Sequence, residues 1–287
     1  MNTNDPESIR DAVRETYGNV AKSDGKIGCA PGCCGAPSPN ASLALGYSAE
    51  DLDAVPEGAD MGLGCGNPQA IASLKAGEVV VDLGSGGGFD AFLAARQVGP
   101  SGRVIGVDMT SEMISKARSN AAKVDAKNVE FRLGEIEHLP IADGAADVIL
   151  SNCVVNLSPD KQAVFREAFR VLRPGGRLAI ADIVALGPMP ADVKTKIEAM
   201  VGCIAGAATV AEIEAWLAAA GFASITVTPK PESAAIIRDW SPGSGWERYA
   251  ASATIEAVKP GGAKSCCGPS CCAEPAQDGP PQAGPHA

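Results

Sequence analysis

Cysteine is the residue type whose number and spacing in this chain point most directly to chemistry. The 287 residues include ten cysteines, and three of these stand singly in separate segments: Cys65, Cys153 and Cys203. The N-terminus has no basic stretch followed by an apolar one, so we expect a cytoplasmic protein with reduced thiols. Each of these three single cysteines, considered alone, could be a buried structural thiol. Three thiolates that converge from separate segments would instead hold a soft, thiophilic ion.

The other cysteines lie in two segments rich in glycine and proline. Cys29, Cys33 and Cys34 come near the N-terminus, and four more, Cys266, Cys267, Cys271 and Cys272, follow residue 259. Both segments contain the pattern Cys-x-Pro-x-Cys-Cys, which suggests that they handle the same soft ion. Structural zinc sites favour Cys-x-x-Cys pairs or histidines at set spacings. The chain has no such pair and only two histidines, so these clusters are not typical of a zinc finger.

A glycine-rich turn separates a predicted strand from a predicted helix. An apolar run at 79–83 is followed by four glycines within residues 84–88, in the pattern Gly-x-Gly-x-Gly, and Asp82 stands just before them. Such glycines allow a sharp turn and let a ligand approach the free N–H groups of the next helix. A second strand ends at Asp108, 20 residues after Gly88, where a doubly wound fold places a ribose-binding carboxylate. The pattern resembles class I S-adenosylmethionine-dependent methyltransferases, and NAD is the alternative cofactor.

The periodicity of the remaining residues predicts an α/β fold. Further strands are predicted at 128–135, 146–153, 177–184, 224–228 and 252–258, and helices begin at Pro6, Ser48, Ser111, Ser158, Ala191 and Thr209. We therefore expect a Rossmann-like class I methyltransferase with a seven-stranded, mostly parallel sheet and helices on both faces. The expected units are an N-terminal helix and cysteine loop (1–60), a cofactor-binding core (61–187), a small C-terminal substrate subdomain with the last strands (188–258), and a disordered tail (259–287).

Charge and hydropathy narrow the range of partners. The formal net charge is -10, and no cluster of lysine and arginine is present that would neutralise phosphates, so we expect no nucleic-acid partner. No window approaches the roughly 18 apolar residues that a membrane span needs. We expect a monomer that acts on a small molecule.

Three segments carry a more specific resemblance. Residues 62–68 (Gly-Leu-Gly-Cys-Gly-Asn-Pro), 151–161 (Ser-Asn-Cys-Val-Val-Asn-Leu-Ser-Pro-Asp-Lys) and 202–207 (Gly-Cys-Ile-Ala-Gly-Ala) together resemble arsenite methyltransferases. The resemblance implies that Cys65, Cys153 and Cys203 bind trivalent arsenic together with an N-terminal loop thiol, Cys33 or Cys34. It further implies that Cys153 and Cys203 hold arsenic, while Cys65 and the loop thiol exchange onto it and then form a disulfide. Thioredoxin or glutathione would reduce that disulfide.

The same resemblance implies a set of residues for S-adenosylmethionine, with Gly134, Glu135 and Ile136 beside the adenine. The full set is Asp82, Gly84, Ser85, Gly86, Asp108, Met109, Gly134, Glu135, Ile136 and Asn152. Glu135 could instead be a solvated acid at a strand end. Two other functions stay open: a carbon or oxygen methyltransferase of a quinone-like metabolite, which would need an acid or base in its pocket, and a thiol-based metal-sequestering protein.

Overall fold

The fold is built on one large, mostly parallel β-sheet. The computed structural model describes residues 5–23, 41–189, 203–240 and 243–261. Its strands are β1 (Val79–Leu83), β2 (Arg103–Asp108), β3 (Val129–Leu133), β4 (Ala146–Asn152), β5 (Leu172–Ala185), β6 (Ala208–Thr209), β7 (Ala223–Lys230) and β8 (Ala250–Val258). The order across the sheet is β3-β2-β1-β4-β5-β8-β7, and β6 pairs with β5 off this path.

The seven predicted strands are confirmed, and β6 is an addition. Strands β1 to β5 are parallel, whereas β8 runs antiparallel between β5 and β7. Strand β6 has only two residues, too few to show any periodicity in the sequence. Strand order reverses at β1, which lies between β2 and β4. In open α/β sheets, ligands bind beyond the carboxyl ends of the strands at such a reversal.

Helices cover both faces of the sheet. They are α1 (Pro6–Lys22), α2 (Ala41–Ala44), α3 (Ala49–Asp53), α4 (Gln69–Ala72), α5 (Phe89–Val98), α6 (Ser111–Lys123), α7 (Lys161–Val171), α8 (Val210–Ala220) and α9 (Ala234–Trp240). Alternate residues of β1 point to opposite faces. Val80 packs in one apolar cluster with α5 and α6, and Val81 packs in another with α7 and α8. This arrangement confirms the predicted α/β class.

Most helix starts lie where the capping residues predict them. Asp5 accepts a hydrogen bond from the Ser8 N–H (3.1 Å), and the boxes Ser48/Asp51 and Thr209/Glu212 are both formed. The exception is α7, whose cap is Asp160 instead of the predicted Ser158. The Ser158 hydroxyl donates to Glu137 Oε1 (2.6 Å), and its oxygen accepts from the N–H of Asp160 (3.1 Å), the residue just before the helix.

The C-terminal third completes the sheet. Strands β7 and β8 continue it beyond β5, and the insert between them, for which the sequence predicts no element, holds α9 and a 3₁₀ turn at Trp246–Arg248. The predicted helix at 191–204 falls almost entirely outside the described residues, as does most of the predicted tail. The division into units therefore stays a prediction. None of the helices in the described part of the chain combines the length and apolarity that crossing a bilayer requires.

Candidate active site

A cleft opens at the carboxyl ends of β1, β2 and β4, beneath α1. It encloses about 1080 Å³ of empty space that continues into solvent. Eight of the ten residues predicted to bind the cofactor line it: Asp82, Gly84, Ser85, Gly86, Asp108, Met109, Ile136 and Asn152. The cleft therefore lies at the reversal of strand order, where the fold predicts a ligand.

The glycine-rich turn forms the floor of this cleft. Gly84 and Gly88 have φ of 65° and 97°, the left-handed region that only glycine adopts without strain. A Cβ at Gly84 would overlap the side chain of Val154. The Gly86 N–H donates to Asp108 Oδ2 (3.0 Å), which ties the turn to the end of β2. A residue with a side chain at position 84 or 88 would therefore strain this turn.

Five acidic side chains line the cleft and favour a cationic ligand: Asp60, Asp82, Asp90, Asp108 and Glu137. Burial, together with the charges of Asp90 and Asp108, raises the pKa of Asp82 well above its ordinary value. Asp82 Oδ2 and Ser85 Oγ are buried and have no hydrogen-bond partner among the described residues. This environment fits S-adenosylmethionine, which carries a sulfonium and an ammonium group. It opposes NAD, because a pyrophosphate would add negative charge beside the carboxylates.

The three single cysteines come together next to the cleft. All are buried and free, and Cys153 lines the cleft itself. The Cys203 thiol donates to the carbonyl oxygen of Cys153 (2.9 Å), and the Cys65 thiol donates to that of Ala181 (3.6 Å). The ligand atoms of Cys65, Cys153 and Asp182 all lie within 4.8 Å of one another. We call Cys65, Cys153 and Cys203 the thiol cluster.

The backbone around the thiol cluster is held in specific conformations. Cys153 and Cys203 have φ of 59° and 64°, an uncommon and strained region for residues with side chains. The Cys65 N–H donates to Asn152 Oδ1 (3.1 Å), and a Cβ at Gly66 would lie 2.7 Å from the Cβ of Ala181. Glycine beside Cys65 therefore lets this loop pack directly against β5.

Burial keeps the thiols of the cluster protonated near neutral pH. It raises the pKa of Cys65 to about 11. The pKa of Cys153 is also well above its ordinary value: Cys203 lowers it, but hydrogen bonding with Cys65 and burial raise it by more. Hydrogen bonding with Cys153 and burial likewise raise the pKa of Cys203. Cys153 therefore interacts with both of the other thiols.

Comparison with known proteins agrees with this geometry. A family model described as a methyltransferase domain matches residues 74–221. An arsenite methyltransferase of Halobacterium salinarum is 54% identical over 265 residues, which are 89% of this chain and 68% of that protein. One from Aquipseudomonas alcaligenes is 40% identical, over 69% of this chain and 58% of that protein. The chain belongs to the arsenite methyltransferase family.

A solved structure supports the same assignment. The crystal structure of an arsenic(III) S-adenosylmethionine methyltransferase from Chlamydomonas reinhardtii is 32% identical in sequence and superposes with a TM-score of 0.56. The match covers 78% of this chain and 74% of that one. Family and fold therefore agree with the resemblance carried by the three cysteine-containing segments.

Some residues that the arsenite methyltransferase resemblance implies are not brought into the cleft. Gly134 and Glu135 do not line it. Gly134 packs against Pro140, and Glu135 Oε1 accepts a hydrogen bond from Arg14 of α1 (2.7 Å). Their role beside the adenine stays a prediction. The loop cysteines Cys33 and Cys34, together with Cys29 and the four tail cysteines, lie outside the described residues.

Sequence reasoning also missed several residues of the site. Tyr47 and Asp90 both line the cleft; Asp90 accepts from the Tyr47 hydroxyl (2.8 Å) and from the predicted residue Asn152 (3.1 Å). Asp182 lies beside the thiol cluster. Burial lowers the pKa of Lys161, whereas Asp182 and Cys203 both raise it. The one available signal was Asp182 itself, because an acid within a run of apolar strand residues must have a partner when it is buried.

Proposed function

We propose that this protein transfers the methyl group of S-adenosylmethionine to trivalent arsenic bound by Cys65, Cys153 and Cys203. The observation that carries the proposal is the position of the thiol cluster at the wall of the cofactor cleft, where Cys153 belongs to both. The cleft carboxylates match a cationic methyl donor, and soft thiols match a thiophilic acceptor. Relatives named arsenite methyltransferases support the substrate.

Arsenite binding follows from the protonation state of the thiols. Arsenite is neutral As(OH)₃ at neutral pH, and each step replaces one As–O bond by one As–S bond. The thiol proton leaves with the hydroxide as water, so three exchanges release three water molecules and no net proton. The raised pKa values of the cluster suit this exchange, because neutral thiols match a neutral substrate.

The residues of the cleft then fix donor and acceptor relative to each other. S-adenosylmethionine, when bound, supplies an electrophilic methyl group on its sulfonium. Asp108 would hold the ribose hydroxyls, and Asp82 would face the positive charge. Arsenic held by three thiolates keeps its lone pair, so no general base is needed and positioning carries most of the catalysis. Asn152, which contacts both Cys65 and Asp90, would keep the two half-sites at a fixed separation.

Methylation oxidises arsenic by two electrons, and these must be returned. We propose that Cys65, as it leaves arsenic, and a loop thiol, Cys33 or Cys34, supply them by forming a disulfide. Only the loop thiol releases a proton in this step, because the Cys65 proton already left as water when arsenite bound. Thioredoxin or glutathione would reduce that disulfide by thiol exchange. We also propose that the protein acts as a cytoplasmic monomer.

Arsenic speciation tests the proposal. Purified protein is incubated with arsenite, thioredoxin and S-adenosylmethionine, and the products are separated and measured by mass spectrometry. Methylated arsenicals are expected, with one S-adenosylhomocysteine formed for each methyl group. A quinone methyltransferase would give no methylated arsenic, and a sequestering protein would bind arsenite without forming S-adenosylhomocysteine. Either result would contradict the proposal.

A further inference from the structure

The thiol cluster has a neighbour that arsenic does not need. Asp182 projects from β5, is 2% exposed, and places a carboxylate oxygen within 4.8 Å of the Cys65 and Cys153 thiols. Trivalent arsenic is satisfied by three sulfur ligands, and a carboxylate is a hard ligand that it does not favour. The position of this acid therefore calls for a different ligand chemistry.

The Asp182 carboxylate is held in a fixed orientation by hydrogen bonds. Its Oδ1 accepts from the Ile183 N–H (2.7 Å) and from the Asn156 amide (2.9 Å), and Oδ2 accepts from the Val155 N–H (2.9 Å). The Asn156 backbone N–H also interacts with this carboxylate. Hydrogen bonds of this kind hold the carboxylates that ligate metals in a fixed orientation.

We propose that Cys65, Cys153, Cys203 and Asp182 form a tetrahedral site for a divalent thiophilic cation of the zinc type. Three sulfurs and one carboxylate oxygen are a donor set that Zn²⁺ accepts. With Zn–S bonds of about 2.3 Å, the sulfurs of a tetrahedron lie about 3.8 Å apart. The ligand atoms of Cys65, Cys153 and Asp182 lie within 4.8 Å of one another, so shifts of about 1 Å bring them to these distances. The Cys203 thiol lies outside that group; it donates to the Cys153 carbonyl oxygen (2.9 Å) and would turn away from it to become the fourth ligand.

Charge also distinguishes this site from the arsenic site. Three thiolates balance the three positive charges of As(III), which leaves Asp182 without a function there. A divalent cation with the same thiolates and Asp182 carries a net charge of -2, as four-thiolate zinc sites do. The three thiol protons pass to solvent on binding. Burial lowers the pKa of Lys161, and the neighbouring Asp182 and Cys203 raise it; its ammonium form would offset part of this excess charge.

The proposal concerns binding and stands apart from the methylation reaction. It makes zinc a direct competitor of arsenite for the thiol cluster, reached through Cys153 at the cleft wall. The opposing explanation is that Asp182 only anchors the turn at Val155–Leu157 through its hydrogen bonds. The two explanations differ in what happens when the carboxylate is exchanged for another metal ligand.

The experiment uses the full chain with serine at the seven cysteines outside the thiol cluster, so that metal binding reports on the cluster alone. Zinc is titrated with Co²⁺ as the spectroscopic probe, and the zinc-loaded protein is examined by X-ray absorption. We expect one metal per chain, tetrahedral Co²⁺ bands, and a shell of three Zn–S bonds at about 2.3 Å with one Zn–O bond at about 2.0–2.2 Å. Loading with arsenite first should prevent zinc binding.

Two substitutions at Asp182 test whether its carboxylate binds the metal or only stabilises the turn at Val155–Leu157. Losing even an indirect partner of a metal site costs about 10–100-fold in affinity, so Asp182→Asn should weaken zinc binding at least about tenfold. Its arsenite affinity should be unchanged. Asp182→Cys should retain zinc and change the shell to four sulfurs, which would show that a side chain at position 182 reaches the metal. Asp147→Asn, at a buried acid that also accepts a backbone N–H, is the matched control and should bind zinc normally.

The proposal is overturned by an octahedral Co²⁺ spectrum, by an unchanged zinc affinity in a folded Asp182→Asn, or by three sulfurs only in Asp182→Cys. If Asp182→Asn fails to fold, the Asp182→Cys shell and the arsenite competition still decide. Arsenite affinity is measured separately on the same proteins. Failure to bind arsenite would therefore count against the proposed function and not against the zinc site.

Discussion

Asp108→Ala is the sharpest test of how the cofactor is held. Asp108 Oδ1 accepts from the Thr110 N–H (2.8 Å) and Oδ2 from the Gly86 N–H (3.0 Å). The Thr110 hydroxyl also hydrogen-bonds to this carboxylate, so one of its about four lone-pair sites is left to accept a hydrogen bond from a ribose hydroxyl. A hydrogen bond to a charged group contributes about 1.5–3 kcal/mol. Losing one should therefore raise the Kd for S-adenosylmethionine by roughly 13- to 160-fold, at 1.36 kcal/mol per factor of ten.

Calorimetric titration of the purified protein measures this change. S-adenosylhomocysteine should lose affinity by the same factor, because it has the same ribose and lacks only the sulfonium charge. Asp147→Ala is the matched control: Asp147 also accepts a backbone N–H, from Val79 (2.7 Å), but it does not line the cleft. Both variants should melt at lower temperature, and only Asp108→Ala should bind the cofactor more weakly. An unchanged Kd in folded Asp108→Ala would remove Asp108 from the site.

Four further results are expected. Cys153→Ser and Cys203→Ser should each abolish arsenite binding and methylation, because a hydroxyl is a poor ligand for arsenic. The Kd for S-adenosylmethionine should stay unchanged. Methylation by either variant would contradict the role of the substituted cysteine. Cys65→Ser should slow methylation of arsenite more than that of methylarsenite, which needs fewer sulfur ligands; an equal loss would contradict this division. Arsenite affinity should not change between about pH 7 and pH 8, because thiol exchange releases no net proton. This range lies above the pKa of Asp182, which is about 6, and below the pKa of Cys65, which is about 11. A Kd that depends on pH, measured by calorimetry, would refute the neutral exchange. Ending the chain after Lys259 should raise the KM for arsenite without changing kcat, if the tail cysteines deliver arsenite; equal KM values would reject delivery.

The sequence predicts the parts of the site that depend on local residue types. The sharp turn at 84–88 requires glycines, and Asp82 and Asp108 lie at the carboxyl ends of apolar strands. The turn and both acids could therefore be placed from their own segments. Cys153 could be placed in the same way, because it follows directly after β4. Asp82, Asp108 and Cys153 all line the cleft, and their roles toward cofactor and arsenic stay predictions.

Features that depend on pairing between distant segments could not be predicted. Asp182 reaches the thiol cluster because Asn152 pairs with Ala181 across β4 and β5, and the register shifts between Ala146 and Val148. A shift of one residue would send Asp182 to the other face of the sheet. No residue type marks such a shift. Glu135 illustrates the same limit, because its partner Arg14 lies on α1, which is 121 residues earlier in the chain.

The end of β4 explains why one strand can serve both halves of the proposed reaction. Asn152 and Cys153 are neighbours, and alternation along a strand sends adjacent side chains in opposite directions. Asn152 points into the network with Tyr47 and Asp90, whereas Cys153 meets Cys65 and Cys203 after its backbone turns through a positive φ. A methyl transfer in line needs donor and acceptor held to a fraction of an ångström. Each half-site includes one of two consecutive residues: Asn152 at the end of a buried central strand and Cys153 directly after it. The separation of the proposed half-sites is therefore set by one peptide unit.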